Sequence, residues 1–180
     1  MITTYFDGAC EPVNPNGTGS YAFVVLDSDN KVIYHEAKII CPSYYFLPNS
    51  VFKPTTTSTN VSEYTACICL LTYLLQNGFK DESIIVYGDS KLVVNQMSGD
   101  WKIGQGHYLF LAHYCKHVLL NLFKDIRFQW IRGEENFMAD ELSKEVLRNA
   151  GIEISNWKEK PWYWIKRTKE IKKEKQAENG

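Results

Sequence analysis

The sequence predicts an α/β protein with a five-stranded mixed sheet and helices on both faces. Two observations carry this prediction. Three β-prone segments near the start are separated by turn residues, which is typical of an antiparallel meander. Helical and strand patterns then alternate, which is typical of parallel strands joined by right-handed helical crossovers. The resulting order, βββ-α-β-α-α-β-α, places the first, fourth and fifth strands side by side.

The three amino-terminal strands are predicted from β-prone runs bounded by turn formers. Residues 1–6 lead into the turn-rich segment DGACEPVNPNGTG, SYAFVVLD follows it, and KVIYHEAKII comes after a Ser-Asp-Asn turn. Residues 41–58 hold three prolines and four aromatic residues without a clear period. We therefore expect a long loop at 41–58.

The rest of the chain alternates between helix and strand. Residues 60–77 repeat apolar side chains at three- and four-residue steps, and Gly78 ends this helix. SIIVYG is a short apolar run typical of a buried parallel strand. Further helices are predicted at 91–99, where Ser90 is the N-cap, and at 106–123 and 137–149, with the strand DIRFQWI between the last two.

Composition restricts the class of protein. The 180 residues are 44% hydrophobic and 23% charged, as in a soluble globular domain. The start shows no signal-peptide pattern, and no apolar run reaches the roughly 18 residues that span a bilayer. The five cysteines form no CxxC pair and are odd in number, which favours a reducing compartment. We expect a cytoplasmic protein without a membrane segment, and a monomer.

Charge is distributed unevenly between a predicted domain at 1–150 and an aromatic, basic extension at 151–180. Residues 158–180 carry eight Lys or Arg and four Glu, so they contribute +4 to a formal net charge of −1. A basic segment on an acidic body is typical of a protein with a polyanionic partner. Packing of the extension on the domain, with its lysines in water, is the alternative.

Four carboxylates lie where predicted strands and helices meet. They are Asp7 in YFDGAC, Glu63 in TNVSEYTA, Asp89 in VYGDSKLVVNQ and Asp140 in ENFMADELS. An unpaired charge at a buried junction is costly, so a neutralising partner is expected, and a divalent metal ion fits. Asp7 and Asp89 follow adjacent parallel strands, at the edge where open α/β sheets bind ligands.

These four phrases, in this order, resemble those of type 1 ribonuclease H, in its short-loop archaeal-like and bacterial branch. The resemblance covers residues 1–150 and implies the ribonuclease H-like fold. It also implies an endonuclease that hydrolyses the RNA strand of RNA/DNA hybrids and leaves 3′-hydroxyl and 5′-phosphate ends. A DNA-directed nuclease and a non-catalytic binding module of the same fold are the alternatives.

The resemblance implies a catalytic centre with two Mg²⁺ ions, for which Mn²⁺ substitutes. Asp7 would bridge both ions, Glu63 and Asp89 would hold the ion at the leaving group, and Asp140 the ion at the nucleophile. Mg²⁺ prefers hard oxygen ligands, and two ions about 4 Å apart can activate the nucleophile and stabilise the leaving oxygen. This chemistry accounts for the number of acids.

Substrate-binding residues are also implied by the resemblance. An RNA/DNA hybrid presents 2′-hydroxyls on one strand of a wide, shallow minor groove. The positions that match the family's groove-binding residues are Gly8, Ala9, Cys10, Asn14, Asn60 and Asn95. Asn14 as a turn former and Asn60 as a helix N-cap are equally good interpretations.

One departure from the family concerns proton transfer. Many members carry a histidine in the loop before the last helix, whereas this chain has RGEEN there. The four histidines are at other positions, three of them in the predicted helix 106–123. Either the histidine is dispensable, as in other short-loop relatives, or turnover is slow. Proton transfer by Glu134 or Glu135 is a further hypothesis, and a solvated loop acid is its alternative.

Overall fold

A five-stranded mixed sheet forms the centre of the protein, as the sequence predicted. The computed structural model describes residues 1–40, 45–47, 50–52 and 57–155. Within these, the sheet has the order β3-β2-β1-β6-β7, with β1 and β6 parallel and β6 and β7 parallel. Its strands are β1 (Ile2–Glu11), β2 (Thr18–Leu26), β3 (Val32–Ile39), β6 (Ser83–Gly88) and β7 (Asp125–Trp130).

Two further strands lie inside the predicted loop 41–58. They are β4 (Tyr45–Leu47) and β5 (Ser50–Phe52), which pair with each other in antiparallel fashion. The sequence did not indicate them because each is only three residues long, too short for a period to show. The basic, aromatic extension lies outside the described residues from position 156 on.

The four predicted helices are present. They are α1 (Thr59–Gln76), α2 (Lys91–Ser98), α3 (Leu109–Tyr114) and α4 (Phe137–Asn149). α3 continues as a π-helical turn over Cys115–Leu119 and a 3₁₀ turn over Leu120–Leu122, so the predicted helix 106–123 changes its hydrogen bonding along its length. None of the helices in the described parts of the chain is long and apolar enough to cross a bilayer.

The helices cover both faces of the sheet. In β2, Tyr21, Phe23 and Val25 belong to the main core with α1, α2 and α3. Ala22 and Val24 are buried too, but the alternation of a strand turns them to the other face, where α4 packs on β1 and β2. α4 therefore faces the sheet from the side opposite α1.

The first strand is longer than predicted, which changes the place of Asp7. β1 pairs with β6 only as far as Tyr5, but its antiparallel pairing with β2 continues to Glu11. The prediction that the strand ends before Asp7 was wrong, because the long β2 supplies hydrogen-bond partners for the residues read as a turn. Asp7 nevertheless lies just past the end of the parallel ladder, at the ligand-binding edge.

Gly8 brings α1 against β1. A Cβ built on Gly8 would lie 2.3 Å from the backbone nitrogen of Glu63 and 2.3 Å from the carbonyl carbon of Ser62. These atoms are main chain and cannot move aside like the end of a flexible side chain. The missing side chain at Gly8 therefore allows the start of α1, at Ser62 and Glu63, to approach β1 beside Asp7.

We predict that Gly8→Ala destabilises the protein by about 2–3 kcal/mol, because the added methyl forces α1 away from β1. Gly78→Ala is the matched control. Gly78 has a φ of 83° and no atom within 4 Å of an added Cβ, so only the backbone conformation is penalised, by about 1 kcal/mol. Urea unfolding of both variants measures the difference. Equal destabilisation would show that the close approach at Gly8 is unimportant.

Candidate metal centre

Three of the four predicted carboxylates form one cluster. Asp7, Glu63 and Asp89 each offer an oxygen, and these oxygens lie within 4.8 Å of one another. Asp7 comes from β1, Glu63 from the first turns of α1, and Asp89 directly follows β6. Only 6% of Asp7 and 6% of Glu63 is exposed, so the like charges meet with little water between them.

Asn136, just before α4, holds Asp89. Its Nδ2 donates to Asp89 Oδ1 at 2.8 Å and to the carbonyl oxygen of Phe6 at 2.8 Å. Trp130 Nε1 donates to the carbonyl oxygen of Asp89 at 2.9 Å. Asn136 is completely buried, so one amide group joins the middle of β1 and the residue after β6 to the start of α4.

Helix α4 contacts the cluster through Ser143 and places Asp140 and Lys144 beside it. Ser143 Oγ donates to Asp7 Oδ2, and Lys144 Nζ forms an ion pair with Asp140 Oδ1. Asp140 lies in the first turn of α4 and is not one of the three carboxylates with mutually close oxygens. Its role as a metal ligand therefore stays a prediction, although its charge acts on Asp7 and Asp89.

The cluster resists full ionisation. Burial, with the charges of Asp89 and Asp140 added, raises the pKa of Asp7 to about 7. Burial, followed by the charges of Asp7 and Asp89, raises the pKa of Glu63 well above its ordinary value. Burial also raises the pKa of Asp89, against the lowering effect of the hydrogen bond from Asn136. A cation in the cluster would reverse these shifts.

Lys144 compensates part of the negative charge. Burial lowers the pKa of Lys144, but the charges of Asp140, Asp7 and Asp89 outweigh burial, so its pKa is raised. Lys144 is therefore an ammonium ion at neutral pH, and it is directed at Asp140.

The donor set fits a divalent cation of the Mg²⁺ type. The donors are carboxylate oxygens, the hard ligands that Mg²⁺ and Mn²⁺ prefer. Glu63 Oε2 is buried and has no hydrogen-bond partner among the described residues. A buried carboxylate oxygen without a donor is costly unless a cation binds it.

The predicted substrate residues fall into two groups. Gly8, Ala9 and Cys10 are buried in β1, and the Cys10 thiol donates to the carbonyl oxygen of Val13 at 3.3 Å. Beyond Tyr5, however, the β1 edge that faces away from β2 lies outside the ladder with β6. From this stretch of β1, backbone groups rather than side chains are suited to contact a substrate.

The three predicted asparagines lie on, or contact, the helices α1 and α2. Asn14 is exposed, and its Oδ1 accepts a hydrogen bond from the backbone nitrogen of Thr59 at 3.1 Å. Asn60 is exposed in the first turn of α1, but the N-cap is Ser58, so the N-cap interpretation of Asn60 is wrong. Asn95 is half-buried on α2. Asn14 and Asn60 thus both lie at the start of α1.

One of the two acids in the loop before α4 has a structural role. Glu135 Oε2 accepts a hydrogen bond from the backbone nitrogen of Arg132 at 2.9 Å, whereas Glu134 is exposed. His113 and His117 are exposed and stack on each other near the end of α3, as expected for helix surface residues. Neither residue belongs to the loop.

Asn136, Ser143 and Lys144 were missed by sequence reasoning as contributors to the site. Asn136 was visible as part of the phrase Glu-Asn-x-x-x-Asp, but a residue before a helix is ordinarily a cap. Ser143 and Lys144 carried no signal, because they look like ordinary helix residues.

The sheet order, the buried acids at the ends of parallel strands and the helix on the opposite face define the ribonuclease H-like class. The chain belongs to the family described as reverse transcriptase-like, whose model matches residues 5–146.

Solved structures show which proteins of this class the chain resembles. Ribonuclease H1 of the halophilic archaeon Halobacterium salinarum is 27% identical, with a TM-score of 0.66 over 82% of this chain and 98% of that one. LC11 ribonuclease H1, solved in complex with an RNA/DNA hybrid, is 27% identical, with a TM-score of 0.69 over 83% of this chain and 99% of that one. The predicted relationship to type 1 ribonuclease H is confirmed.

A curated relative is longer than the region of similarity. A bifunctional protein of Mycobacterium tuberculosis is 29% identical over 137 residues, which are 76% of this chain and 33% of the relative. The chain thus spans about a third of the length of the curated relatives it matches. The amino-terminal ribonuclease H domain of the M. tuberculosis protein has a TM-score of 0.65 and is 28% identical, over 80% of this chain and 96% of that one.

We predict that Asp7→Asn stabilises the metal-free protein at high pH. The pKa of Asp7 is raised from 3.8 to about 7. Below pH 4 the carboxyl is protonated in the folded and the unfolded protein and costs no stability. As the pH rises from 4 through 7, the free energy of unfolding falls, because ionisation of Asp7 is unfavourable in the folded protein. Asn cannot ionise, so in EDTA the variant should be more stable than wild type at pH 8, by at most about 4 kcal/mol, and not at pH 4.

Urea unfolding in EDTA at the two pH values measures this effect. Asp29→Asn, in an exposed turn, is the control and should change little at either pH. Adding Mg²⁺ at pH 8 should stabilise wild type and not Asp7→Asn. A variant less stable than wild type at pH 8 in EDTA would contradict the electrostatic account.

Proposed function

We propose that this protein is a metal-dependent endonuclease that hydrolyses the RNA strand of RNA/DNA hybrids. The observation that carries the proposal is the cluster of Asp7, Glu63 and Asp89 at the ligand-binding edge of a ribonuclease H-like sheet. The similarity to ribonuclease H1 proteins, one of them solved with an RNA/DNA hybrid, supports the choice of substrate.

Asp7, Glu63, Asp89 and Asp140 are the residues that would hold two Mg²⁺ ions, with Mn²⁺ as a substitute. When bound, the ions supply an activated nucleophile and neutralise the leaving oxygen, which gives 3′-hydroxyl and 5′-phosphate ends. The uncompensated oxygen of Glu63 supports this assignment for the leaving-group side. The ion pair with Lys144 supports a separate place for Asp140, beside the cluster of three.

The chain's own side chains orient the acids. Asn136 fixes one oxygen of Asp89, and the same amide group ties Asp89 to the main chain of β1. Lys144 holds Asp140 towards the cluster. Because buried partners hold the carboxylates, little reorganisation is needed when substrate and ions bind.

Substrate recognition is assigned to the edge formed by β1 and the start of α1. The backbone of Gly8, Ala9 and Cys10, with the amides of Asn14 and Asn60, would read the 2′-hydroxyls of the RNA strand. Asn14 uses its oxygen to hold α1, so the N–H groups of its Nδ2 amide would be the donors to substrate. Asn95 on α2 would extend the contact.

Glu134 is the better of the two loop acids for accepting a proton. Its side chain is exposed, whereas Glu135 is engaged by the backbone of the loop. A solvated carboxylate beside the site can exchange protons with water without a histidine.

Cleavage of matched RNA/DNA, RNA/RNA and DNA/DNA duplexes in Mg²⁺ and in Mn²⁺ tests the proposed function. We expect cleavage of the RNA strand in the hybrid alone, with 3′-hydroxyl ends that a polymerase extends. Asp7→Asn should lower kcat by at least about 10³-fold, since a shared ligand is lost, while Asp29→Asn should keep wild-type activity.

Each of the other outcomes would reject this function or favour one of its alternatives. Intact RNA in the hybrid, or full activity of Asp7→Asn, would reject the proposal. Cleavage of DNA would favour the DNA-directed nuclease, and tight binding of hybrid without cleavage in Mg²⁺ would favour the non-catalytic module.

The basic extension is proposed to strengthen hybrid binding. Ser155, the last described residue, donates through its backbone nitrogen to Glu11 Oε2 at 3.0 Å and also through its hydroxyl. Glu11 ends β1 and lies three residues before Asn14. Position 155 therefore lies near the proposed binding edge, and the sequence after it carries the +4 charge and the aromatic sequence WYW.

We predict that ending the chain at Asn156 raises KM for the hybrid at moderate salt and leaves kcat unchanged. Each lost phosphate contact should also make the dependence of log KM on log salt shallower by about 0.9. A full-length variant with Lys and Arg of 158–180 changed to Gln is the control for lost charge alone. An unchanged salt slope would reject phosphate binding, and a lower Tm would favour packing on the domain.

A further inference from the structure

Ser143 is a buried serine in the middle of a helix, where a hydroxyl has no obvious use. It is completely buried on α4, and Ala would suit the helix better. Its Oγ lies 3.0 Å from the carbonyl oxygen of Asp140, an ordinary contact within a helix, but it also reaches Asp7 Oδ2. A hydroxyl has one proton, and a carboxylate is the stronger acceptor. The proton is therefore donated to Asp7.

The main chain of Ser143 is fixed from another side. Ser20 on β2 is also completely buried, and its Oγ donates to the carbonyl oxygen of Ser143 at 2.8 Å. This bond joins α4 to the sheet at the residue that contacts Asp7. This contact uses the main chain of Ser143 and not its hydroxyl, so it is separate from the bond to Asp7.

The carboxylate of Asp7 needs a group that holds its orientation. Asp7 faces Glu63 and Asp89 at close range, so charge repulsion favours rotation of its carboxylate away from the cluster. The bond from Ser143 holds Oδ2 on the side of α4. In the described structure, Asp89 has a comparable donor in Asn136 and Asp140 has one in Lys144.

We propose that Ser143 is a positioning residue for metal binding, whose hydroxyl fixes the carboxylate of Asp7 so that the cluster is arranged for a cation before one arrives. The proposal rests on the proposed function only in taking Asp7 as a metal ligand. Groups that orient a ligand from behind typically change metal affinity by about 10-fold or more.

The test is the affinity of the substrate-free protein for Mn²⁺, measured by electron paramagnetic resonance or calorimetry. Ser143→Ala should raise the Kd for Mn²⁺ about 10-fold. Ser143→Thr keeps a hydroxyl and should restore most of the affinity. In cleavage assays, the loss in Ser143→Ala should be largest at low Mg²⁺ and recover as Mg²⁺ saturates, because the reacting groups themselves are unchanged.

Ser20→Ala is the matched control. It removes a buried hydroxyl from the same contact chain but leaves the donor to Asp7 in place. We expect it to lower Tm about as much as Ser143→Ala while keeping the Kd for Mn²⁺ within about 2-fold of wild type.

The outcomes separate this proposal from the function on which it rests. A wild-type Kd in Ser143→Ala would overturn the role of Ser143, and so would an equal loss of affinity in Ser20→Ala, since the effect would then be structural. Wild-type protein that binds no Mn²⁺ at all would instead overturn the metal-dependent function.

Discussion

Repulsion among buried carboxylates is the constraint on which this structure depends. Asp7, Glu63 and Asp89 are held with oxygens within 4.8 Å of one another, at a place where burial itself disfavours their charged forms. The surrounding structure compensates only in part, through amide, hydroxyl and ammonium donors. The metal-free protein therefore retains an unfavourable electrostatic energy, which a cation bound in the cluster would relieve. The same feature destabilises the fold and favours binding, as is common at functional sites.

Helix α4 alone covers its face of the sheet in the described residues, and it also supplies several of the groups that restrain the acids. It supplies one predicted ligand, Asp140, together with the donors that restrain Asp7 and Asp140, and it begins beside the amide that restrains Asp89. Gly8 acts from the opposite side by letting α1 deliver Glu63. The centre is thus held between two helices on opposite faces, with β1 passing between them.

The sheet order and α4 with its bounds 137–149 were predictable, because hydrophobic periods and turn residues are local signals. The end of β1 was not, since the continuation past Asp7 depends on pairing with β2. Asp7 and Asp89 could be expected to meet from strand order alone, because they lie at the same edge of adjacent parallel strands, whereas Glu63 on α1 was assigned to the site by the family resemblance. The donors that restrain the acids could not be predicted, because the bonds from Ser143 to Asp7 and from Asn136 to Asp89 join residues far apart in sequence.

This separation along the chain has a kinetic consequence. Asp7, Glu63 and Asp89 come from β1, from α1 and from the residue after β6, so the acids come together only when these distant elements pack against one another. Repulsion within the cluster is then absent from the denatured chain and from early folding intermediates. A cation that recognises the completed cluster stabilises the native state relative to the folding transition state. Such a cation would therefore act mainly by slowing unfolding, and the lifetime of the folded protein would then depend on the supply of metal.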